Sequence, residues 1–282
     1  MNVGTVQEAP KGASCMNHSI TIYHNLTTTI AQIFSSLGLK NREHTKGRKP
    51  ALTNVDAVTS AIFKQKQNIA SKKSLYEILE PLCSYKTFVA TINRAEKYLA
   101  LIIGVVMKIL GTEAHPVKLT DSTDIPSCLT KNARNHRTMR GLAAWSKNGK
   151  GFFFGLKLHL SADVEGRVLA LKLTPGNSDD RAIFKKMNDK LKGLFVADAG
   201  YISKELAREF FKEGEHLLIT AVRANMHAIA ADWQIRLLNL RMKIEVHFRS
   251  LKLRYGLVTS LPRSVDGCLT HYLATIAAHV LA

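Results

Sequence analysis

The segment GLFVADAGY, residues 193–201, decides the fold of this chain. Its apolar residues 194–197 stand between two glycines, and Asp198 follows them directly. A short, continuously apolar run bounded by glycines is typical of a strand buried on both faces, as in parallel sheets covered by helices. An ionised carboxylate at the end of such a strand is costly unless it is paired or binds a metal. We therefore expect an α/β domain with Asp198 in a functional site.

A second acidic residue has a similar setting in VKLTDSTDIP, residues 117–126. Val117 and Leu119 alternate with polar residues, which predicts a strand that leads to Asp121, and Pro126 ends the extended segment. The same segment holds Asp124 as a rival candidate. If the two acid-bearing strands are neighbours, their carboxylates lie side by side.

The third candidate, Glu245, lies in LRMKIEVHFRSLK, residues 240–252. Apolar residues at steps of 3, 4 or 7 predict one long helix with an inner stripe of Trp233, Leu237, Leu240, Ile244, Leu251 and Tyr255. A neighbouring flank carries Leu238, Arg241, Glu245, Phe248, Arg249 and Lys252. Glu245 facing the two aspartates would complete an oxygen site suited to Mg²⁺ or Mn²⁺. Taken singly, an Asp near a strand end is more often a turn former, and a Glu between Arg and Lys is usually a solvated salt-bridge partner.

Together these segments resemble the DDE transposases of bacterial insertion sequences, whose catalytic domain is similar to ribonuclease H. Within that superfamily the chain is most similar to the insertion-sequence nine-eighty-two group. The resemblance extends from about residue 52 to the C-terminus and is carried by DSTDIPSC at 121–128, FGLKLHL at 154–160, LTPGNSDDR at 173–181, DAGYIS at 198–203 and RANM at 223–226. Related enzymes carry a Tyr, Arg, Glu, Lys pattern on the last helix. Here Arg241, Glu245 and Lys252 keep its spacing, and Leu238 stands at the Tyr position.

The resemblance implies a ribonuclease H-like mixed five-stranded sheet flanked by helices, preceded by an all-α N-terminal region. It implies Asp121, rather than Asp124, as first catalytic acid, with Asp198 and Glu245 completing a site for Mg²⁺, or Mn²⁺ as a substitute. The implied activity is DNA cleavage at the element ends and strand transfer into target DNA by a homodimer or larger assembly. The alternatives are a ribonuclease H-like nuclease without strand transfer and a silent DNA-binding remnant of a transposon.

The composition independently favours a nucleic-acid partner. The 282 residues contain 40 Lys and Arg against 22 Asp and Glu, which gives a formal net charge of +18. Such a charge attracts polyanions, double-stranded DNA above all, with a membrane surface as the other possible partner. The most apolar stretch, residues 99–107, is too short to span a bilayer, so we expect no membrane segment. Four cysteines without a CxxC pair indicate reduced thiols, hence the cytoplasm. The resemblance implies that this cytoplasm is bacterial and that the protein acts at the nucleoid.

The order of predicted elements suggests three parts. Residues 1–50 hold a helix and a basic linker, residues 51–112 form a helical, DNA-binding region, and residues 113–282 form the catalytic domain. In the middle part, two helices joined by a short turn expose Lys86 and Arg94 and suggest a DNA-docking element. A helical bundle packed on the catalytic domain is an equally good interpretation.

Further cations and one histidine have weaker assignments. Arg241, Arg249 and Lys252 are expected to hold DNA phosphates near the acids. His159 is expected at the surface or as a satisfied core residue, and the acidic pair 179–180 at the N-terminus of a helix.

Overall fold

The computed structural model describes residues 11–39, 50–212, 216–221, 231–259 and 261–282, with side chains from residue 19 onward except that of residue 212. The predicted basic segment 40–49 and the motif at 223–226 therefore lie outside the described residues. Within the described part of the chain, no helix is both long enough and apolar enough to cross a membrane.

The N-terminal region is helical, as predicted. Its helices are α1 (Lys11–Ser36), α2 (Asn54–Lys66), α3 (Lys72–Leu79), α4 (Tyr85–Asn93) and α5 (Glu96–Gly111). Thr53 with Asp56, and Ser74 with Glu77, have the sequence spacing of capping boxes and predict two helix starts. The first is present at α2: Thr53 accepts from the backbone N–H of Asp56, and Asp56 accepts from that of Thr53. The second box was placed wrongly at Ser74. Ser71 caps α3 instead, because its hydroxyl accepts from the backbone N–H of Ser74.

The part of the chain predicted to be the catalytic domain contains a mixed sheet, which confirms the predicted ribonuclease H-like fold. Its strands are β1 (Val117–Pro126), β2 (Ala144–Asn148), β3 (Gly151–Asp163), β4 (Val168–Pro175), β5 (Gly193–Ala197) and β6 (His216–Thr220). The antiparallel strands β1, β3 and β4 are followed by β5 and β6, which lie parallel to β1. Without β2, the order across the sheet is β4, β3, β1, β5, β6.

One strand was not expected. The described sheet has six strands rather than the predicted five, and the additional one is β2, which pairs antiparallel with the start of β3. None of the side chains of β2 is buried; Trp145 is 44% exposed. A strand with two exposed faces lacks the apolar alternation on which sequence assignment depends.

The helices of the second half cover the sheet. They are α6 (Asp180–Asn188), α7 (Lys204–Lys212), α8 (Asp232–Leu240), α9 (Met242–Arg249) and α10 (Val265–Val280). The single long helix predicted around Glu245 is interrupted at Arg241 and ends in a π-helical turn, Ser250–Arg254. Ile244, Leu251 and Tyr255 form the buried stripe as predicted. Trp233 was wrongly assigned to it, since its side chain lies before the interruption and is 51% exposed.

The apolar core crosses the boundary between the predicted parts. Helix α10, at the C-terminal end, packs against α2 and α5 of the helical region. One continuous cluster of buried residues runs from Ile30 on α1 through Ile102 on α5 to Leu158 on β3 and Ile276 on α10. This packing holds the helical region against the sheet.

Candidate active site

The sheet places Asp121 and Asp198 next to each other. Strands β1 and β5 are parallel neighbours, and their paired residues include Thr120 with Ala197. Asp121 and Asp198 each follow directly after this pair. The two carboxylates therefore lie at neighbouring positions on adjacent strands, as predicted from the two strand-end patterns.

The surroundings of Asp121 make its ionised form costly. Burial is the main cause that raises the pKa of this carboxyl, to about 6, and the nearby charges of Asp198 and Asp180 raise it further. Two contacts act in the opposite direction: the backbone N–H of Ser122 donates to Asp121 Oδ1 at 2.8 Å, and the charge of Arg241 is close by. Asp121 is thus a desolvated acid within a cluster of like charges, a combination typical of functional sites.

Glu245 joins the cluster through Arg241. Helix α9, which carries Glu245, packs on β1 through other residues, and the Glu245 side chain itself is exposed. The guanidinium Nη1 of Arg241 lies 3.3 Å from Asp198 Oδ1 and 3.9 Å from Glu245 Oε1. The side chains of Asp198 and Glu245 are 47% and 50% exposed, so both acids are open to solvent. Arg241, at the interruption between α8 and α9, therefore links the two acids.

The donor set suits a hard divalent cation. Its side chains offer only carboxylate oxygens, the ligands that Mg²⁺ and Mn²⁺ prefer. In the described ranges, however, no three His, Cys, Asp or Glu side chains lie close enough together to hold a metal ion. In this arrangement the positive charge between Asp198 and Glu245 comes from Arg241. The carboxylate donors therefore suit a divalent cation. The guanidinium of Arg241 would compete with that cation for Asp198 and Glu245.

The rival acid, Asp124, is engaged elsewhere. Its carboxylate accepts a hydrogen bond from Asn148 Nδ2 on β2 at 2.8 Å. The charges that shift the pKa of Asp121 come from Asp198, Arg241 and Asp180, and that of Asp124 is not among them. The geometry places Asp121, rather than Asp124, beside Asp198, and it brings Glu245 near Asp198 only through Arg241.

Asp180 is a member of the cluster that sequence reasoning missed. Asp179 caps α6 by accepting from the backbone N–H of Arg181, which leaves Asp180 in the first helical turn. Its carboxylate contacts Lys157 Nζ at 3.2 Å and His159 Nδ1 at 3.4 Å. Lys157 and His159 lie in the motif at 154–160, and Asp180 lies in the motif at 173–181. Both motifs carry the family resemblance, and that was the sequence signal by which this cluster could have been found.

His159 is a core residue, one of the two predicted positions, but it is not fully satisfied, because among the described residues its buried Nδ1 makes no hydrogen bond. Its side chain is 1% exposed, and Nε2 lies 2.8 Å from the hydroxyl of Thr174. Burial lowers the pKa of His159 to about 4 despite the nearby Asp180, so the ring is neutral at pH 7.

Tyr201 is a second group that was missed. Tyr201 is 2% exposed and is the last residue of the 3₁₀ turn Ala199–Tyr201, which follows Asp198. Burial, together with the charges of Asp180, Asp121 and Asp198, raises the pKa of this phenol well above its usual range. Tyr201 therefore stays protonated, and within the described residues its buried hydroxyl has no hydrogen-bond partner. It belongs to the motif DAGYIS, which was assigned for Asp198 alone.

Comparison with known families decides the identity. Residues 111–263, more than half of the chain, match the family described as "Transposase DDE domain". The chain belongs to this family. It is a DDE transposase, an enzyme of DNA cleavage and strand transfer, as the sequence motifs had implied.

Solved structures similar to the transposase include three of Mos1. The Mos1 strand transfer complex is 13% identical with a TM-score of 0.25, covering 95% of this chain and 85% of that chain. The paired-end complex with the left transposon end is 12% identical with a TM-score of 0.22, covering 85% and 87%. A pre-cleavage Mos1 transpososome is 12% identical with a TM-score of 0.23, covering 97% and 98%. No curated protein sequence matches the transposase significantly.

The cations predicted to hold DNA lie in two places. Arg249 is exposed at the end of α9. Lys252, in the π-helical turn, is partly buried: burial lowers its pKa, and the charge of Asp124 acts against that shift. Lys86 is exposed on α4, and Arg94 caps the end of the same helix. The transposase thus presents one set of cations beside the acids and another on its helical region.

Proposed function

We propose that the transposase cuts at the ends of an insertion sequence and joins the freed 3′-hydroxyls to target DNA, with Asp121, Asp198 and Glu245 as its metal ligands. Mg²⁺ is the proposed metal, with Mn²⁺ as a substitute. The observation that carries the proposal is the pairing of Thr120 with Ala197, which sets two carboxylates side by side at the end of a buried parallel strand pair. The finer affiliation that we propose is the bacterial insertion-sequence nine-eighty-two group, acting at the nucleoid in the cytoplasm.

The acidic residues would have distinct roles in metal binding. Asp121, Asp198 and Glu245 would hold the divalent ions. When bound, such ions activate the attacking hydroxyl and stabilise the departing oxygen. Asp180 adds negative charge from the neighbouring helix while Lys157 partly neutralises it. Carboxylates in this crowded arrangement repel one another, which favours a divalent cation among them.

DNA would be held by cations on both sides of the acids. Arg241, Arg249 and Lys252 are proposed to contact the phosphates that enter the site. Lys86 and Arg94 are proposed to contact the element end from the helical region, residues 51–112, which we propose as the DNA-binding part ahead of a catalytic domain at 113–282. Because two ends must be brought together, a homodimer or larger assembly on DNA is proposed.

A strand-transfer assay tests the proposal as a whole. A labelled, pre-cleaved end duplex with a free 3′-hydroxyl is incubated with a supercoiled plasmid and Mg²⁺. We expect the label to become covalently joined to the plasmid. A parallel reaction uses an uncleaved end duplex. Cutting of that duplex without joining in either reaction would indicate a nuclease, and specific binding without cutting or joining would indicate a silent remnant.

The net charge of +18 predicts a strong salt dependence of DNA binding. Each phosphate that the protein neutralises releases counterions and contributes about −0.9 to the slope of log K against log salt concentration. With several cations on the backbone, we expect a slope steeper than about −4 for an end duplex. Fluorescence anisotropy at several salt concentrations measures it, and a flat response would contradict a DNA-binding role.

Arg241→Gln is expected to tighten Mn²⁺ binding by the DNA-free transposase. The variant removes the cation that contacts both Asp198 and Glu245. Exposed ion pairs contribute about 0.2–1 kcal/mol each, so the loss of both contacts predicts a gain of roughly two- to thirtyfold. Mn²⁺ titration followed by electron paramagnetic resonance measures this.

The matched control is Arg236→Gln on α8. Arg236 contacts the exposed Asp232 at 2.8 Å, and that pair lies outside the cluster. The control should bind Mn²⁺ as the wild type does. Weaker Mn²⁺ binding by Arg241→Gln alone would show that Arg241 orients the ligands instead of competing with the metal.

A further inference from the structure

A cavity separate from the candidate active site lies between the helical region and the start of α10. Its volume is about 380 Å³, and its walls come from α2, α3, α4 and the first turns of α10. None of the carboxylates of the candidate active site lines it. A pocket of this size is within the range that binds small organic ligands.

Lys64 on α2 lines this cavity as a buried, unpartnered cation. Its exposed fraction is 9%, and within the described residues its ammonium group has no hydrogen bond and no ion pair. Burial lowers the pKa of Lys64 to about 8, so that at pH 7 most of the molecules still carry the charge. The ammonium nitrogen is not among the fully buried atoms without a partner, so it stays accessible from the cavity that Lys64 lines. A largely desolvated, unpaired charge lowers stability, which an anionic ligand would offset.

Other positive groups surround the same space. Lys72 on α3 donates a hydrogen bond to Asn93 Oδ1, and its pKa is lowered to about 8 by burial and then by the charge of Lys64. Arg263 lies at the rim, next to Ser264, which caps the 16-residue helix α10. A helix N-terminus carries partial positive charge and attracts anions. Among the described residues that line the cavity, none is acidic. The ligand of such a space is an anion.

The remaining wall is apolar. The accessible part of this wall comes from Tyr85, which begins α4 and is 41% exposed, and from Leu261, which is 58% exposed. Leu75 and Ile92 are fully buried behind it. His271 adds no charge, because its Nε2 lies 2.8 Å from the carbonyl of Gly256 and its Nδ1 lies 2.8 Å from Gln65 Nε2. A ligand that fills both parts has an anionic group joined to a flat, weakly polar body. A nucleotide has these two parts.

We propose that this cavity binds one nucleotide, with its phosphate between Lys64 and Lys72 and its base against Tyr85 and Leu261. Two sources carry this chemistry: a free deoxynucleoside monophosphate, or a nucleotide within a DNA strand. Helix α4, which also carries Lys86, forms one wall and brings the cavity next to the predicted DNA-docking surface. The DNA source rests on the proposed function, whereas the site itself does not depend on the carboxylate cluster.

Titration calorimetry without divalent metal tests the site with three probes: inorganic phosphate, deoxythymidine monophosphate and a short single-stranded oligothymidine. The monophosphate is expected to bind more tightly than inorganic phosphate. Lys64→Met should weaken binding by at least about tenfold, since a charge-assisted hydrogen bond is lost. The exposed Lys108→Met on α5 is the matched control and should change nothing.

The variant is expected to fold. Because Lys64→Met replaces an unpaired buried charge with an apolar side chain, its melting temperature without ligand should rise above that of the wild type. Asp121→Asn should bind the monophosphate as the wild type does, so a failure of the catalytic proposal leaves this test intact.

The results decide both the site and its source. Lys64-dependent binding of the monophosphate supports a free nucleotide, and Lys64-dependent binding of the oligonucleotide alone supports a DNA strand. Equal affinity of wild type and Lys64→Met for both probes would overturn the site. Inorganic phosphate that binds as tightly as the monophosphate would overturn the nucleotide assignment.

Discussion

Asp121→Asn is expected to abolish strand cleavage while the transposase still folds and binds end DNA. The change keeps the side-chain volume but removes the charge that would bind a divalent cation at the end of β1. Loss of a metal ligand removes several kcal/mol of transition-state stabilisation, which corresponds to roughly a thousandfold lower rate. Asp198→Asn and Glu245→Gln should behave alike. Denaturing gels of a labelled end duplex with Mg²⁺ or Mn²⁺ measure the cleavage, and anisotropy measures the binding.

The control for this series is Asp124→Asn. Asp124 lies on the same strand, but it accepts a hydrogen bond from Asn148 and does not belong to the acid cluster. It should cleave at close to the wild-type rate. If Asp124→Asn were inactive and Asp121→Asn active, Asp124 would take the place of Asp121 as the first ligand. If two of the three cluster variants kept wild-type rates, the assignment of the site would be wrong.

Gly155→Ala is expected to lower the free energy of unfolding by about 3 kcal/mol or more. A Cβ atom at Gly155 on β3 would lie 2.2 Å from the carbonyl oxygen of Ile125 and 2.9 Å from Cα of Pro126. Both contacts are backbone atoms of β1, and β3 is held on both sides because Gly155 pairs with Pro126 and with Ala144. The two strands must therefore separate. Urea unfolding followed by circular dichroism measures the loss.

The matched control is Gly149→Ala, in the turn between β2 and β3. A Cβ atom there would meet no atom within 4 Å. The control should change the free energy of unfolding by less than about 0.5 kcal/mol, as surface substitutions do. Equal stability of Gly155→Ala and the wild type would mean that β1 is not fixed against β3 as described, and the position of Asp121 would need revision.

The location of the acids could be predicted from sequence because each has a strong local context. The apolar run 194–197 and the alternation at 117–120 each predict a strand that leads to an Asp, and both strands are present. Glu245 could be placed on a helix because Ile244, Leu251 and Tyr255 recur at helical spacing, and all three are buried. These assignments depend on short-range periodicity, which the sequence itself carries.

Features that depend on long-range contacts were missed. Strand β2 has no buried side chain, so its only reason to be a strand is the ladder with β3. The interruption at Arg241 leaves no mark in the apolar pattern, which continues through it. Asp180 had been expected merely to charge a helix terminus, and it also lies beside Lys157 and His159 because α6 packs on β3.

By itself, the sequence determined the fold class, the family and the two aspartates at the ends of buried strands, because each follows from local periodicity or from motifs that lie close together in the chain. Tertiary structure decided which charges meet. Arg241 had been assigned to DNA phosphates, and it contacts Asp198 and Glu245 in the folded chain. Lys64 had no sequence signal, and it is a buried cation only because α2, α4 and α10 enclose it. The energy of a charge depends on its distance from other charges and on its burial, and both are properties of the folded chain.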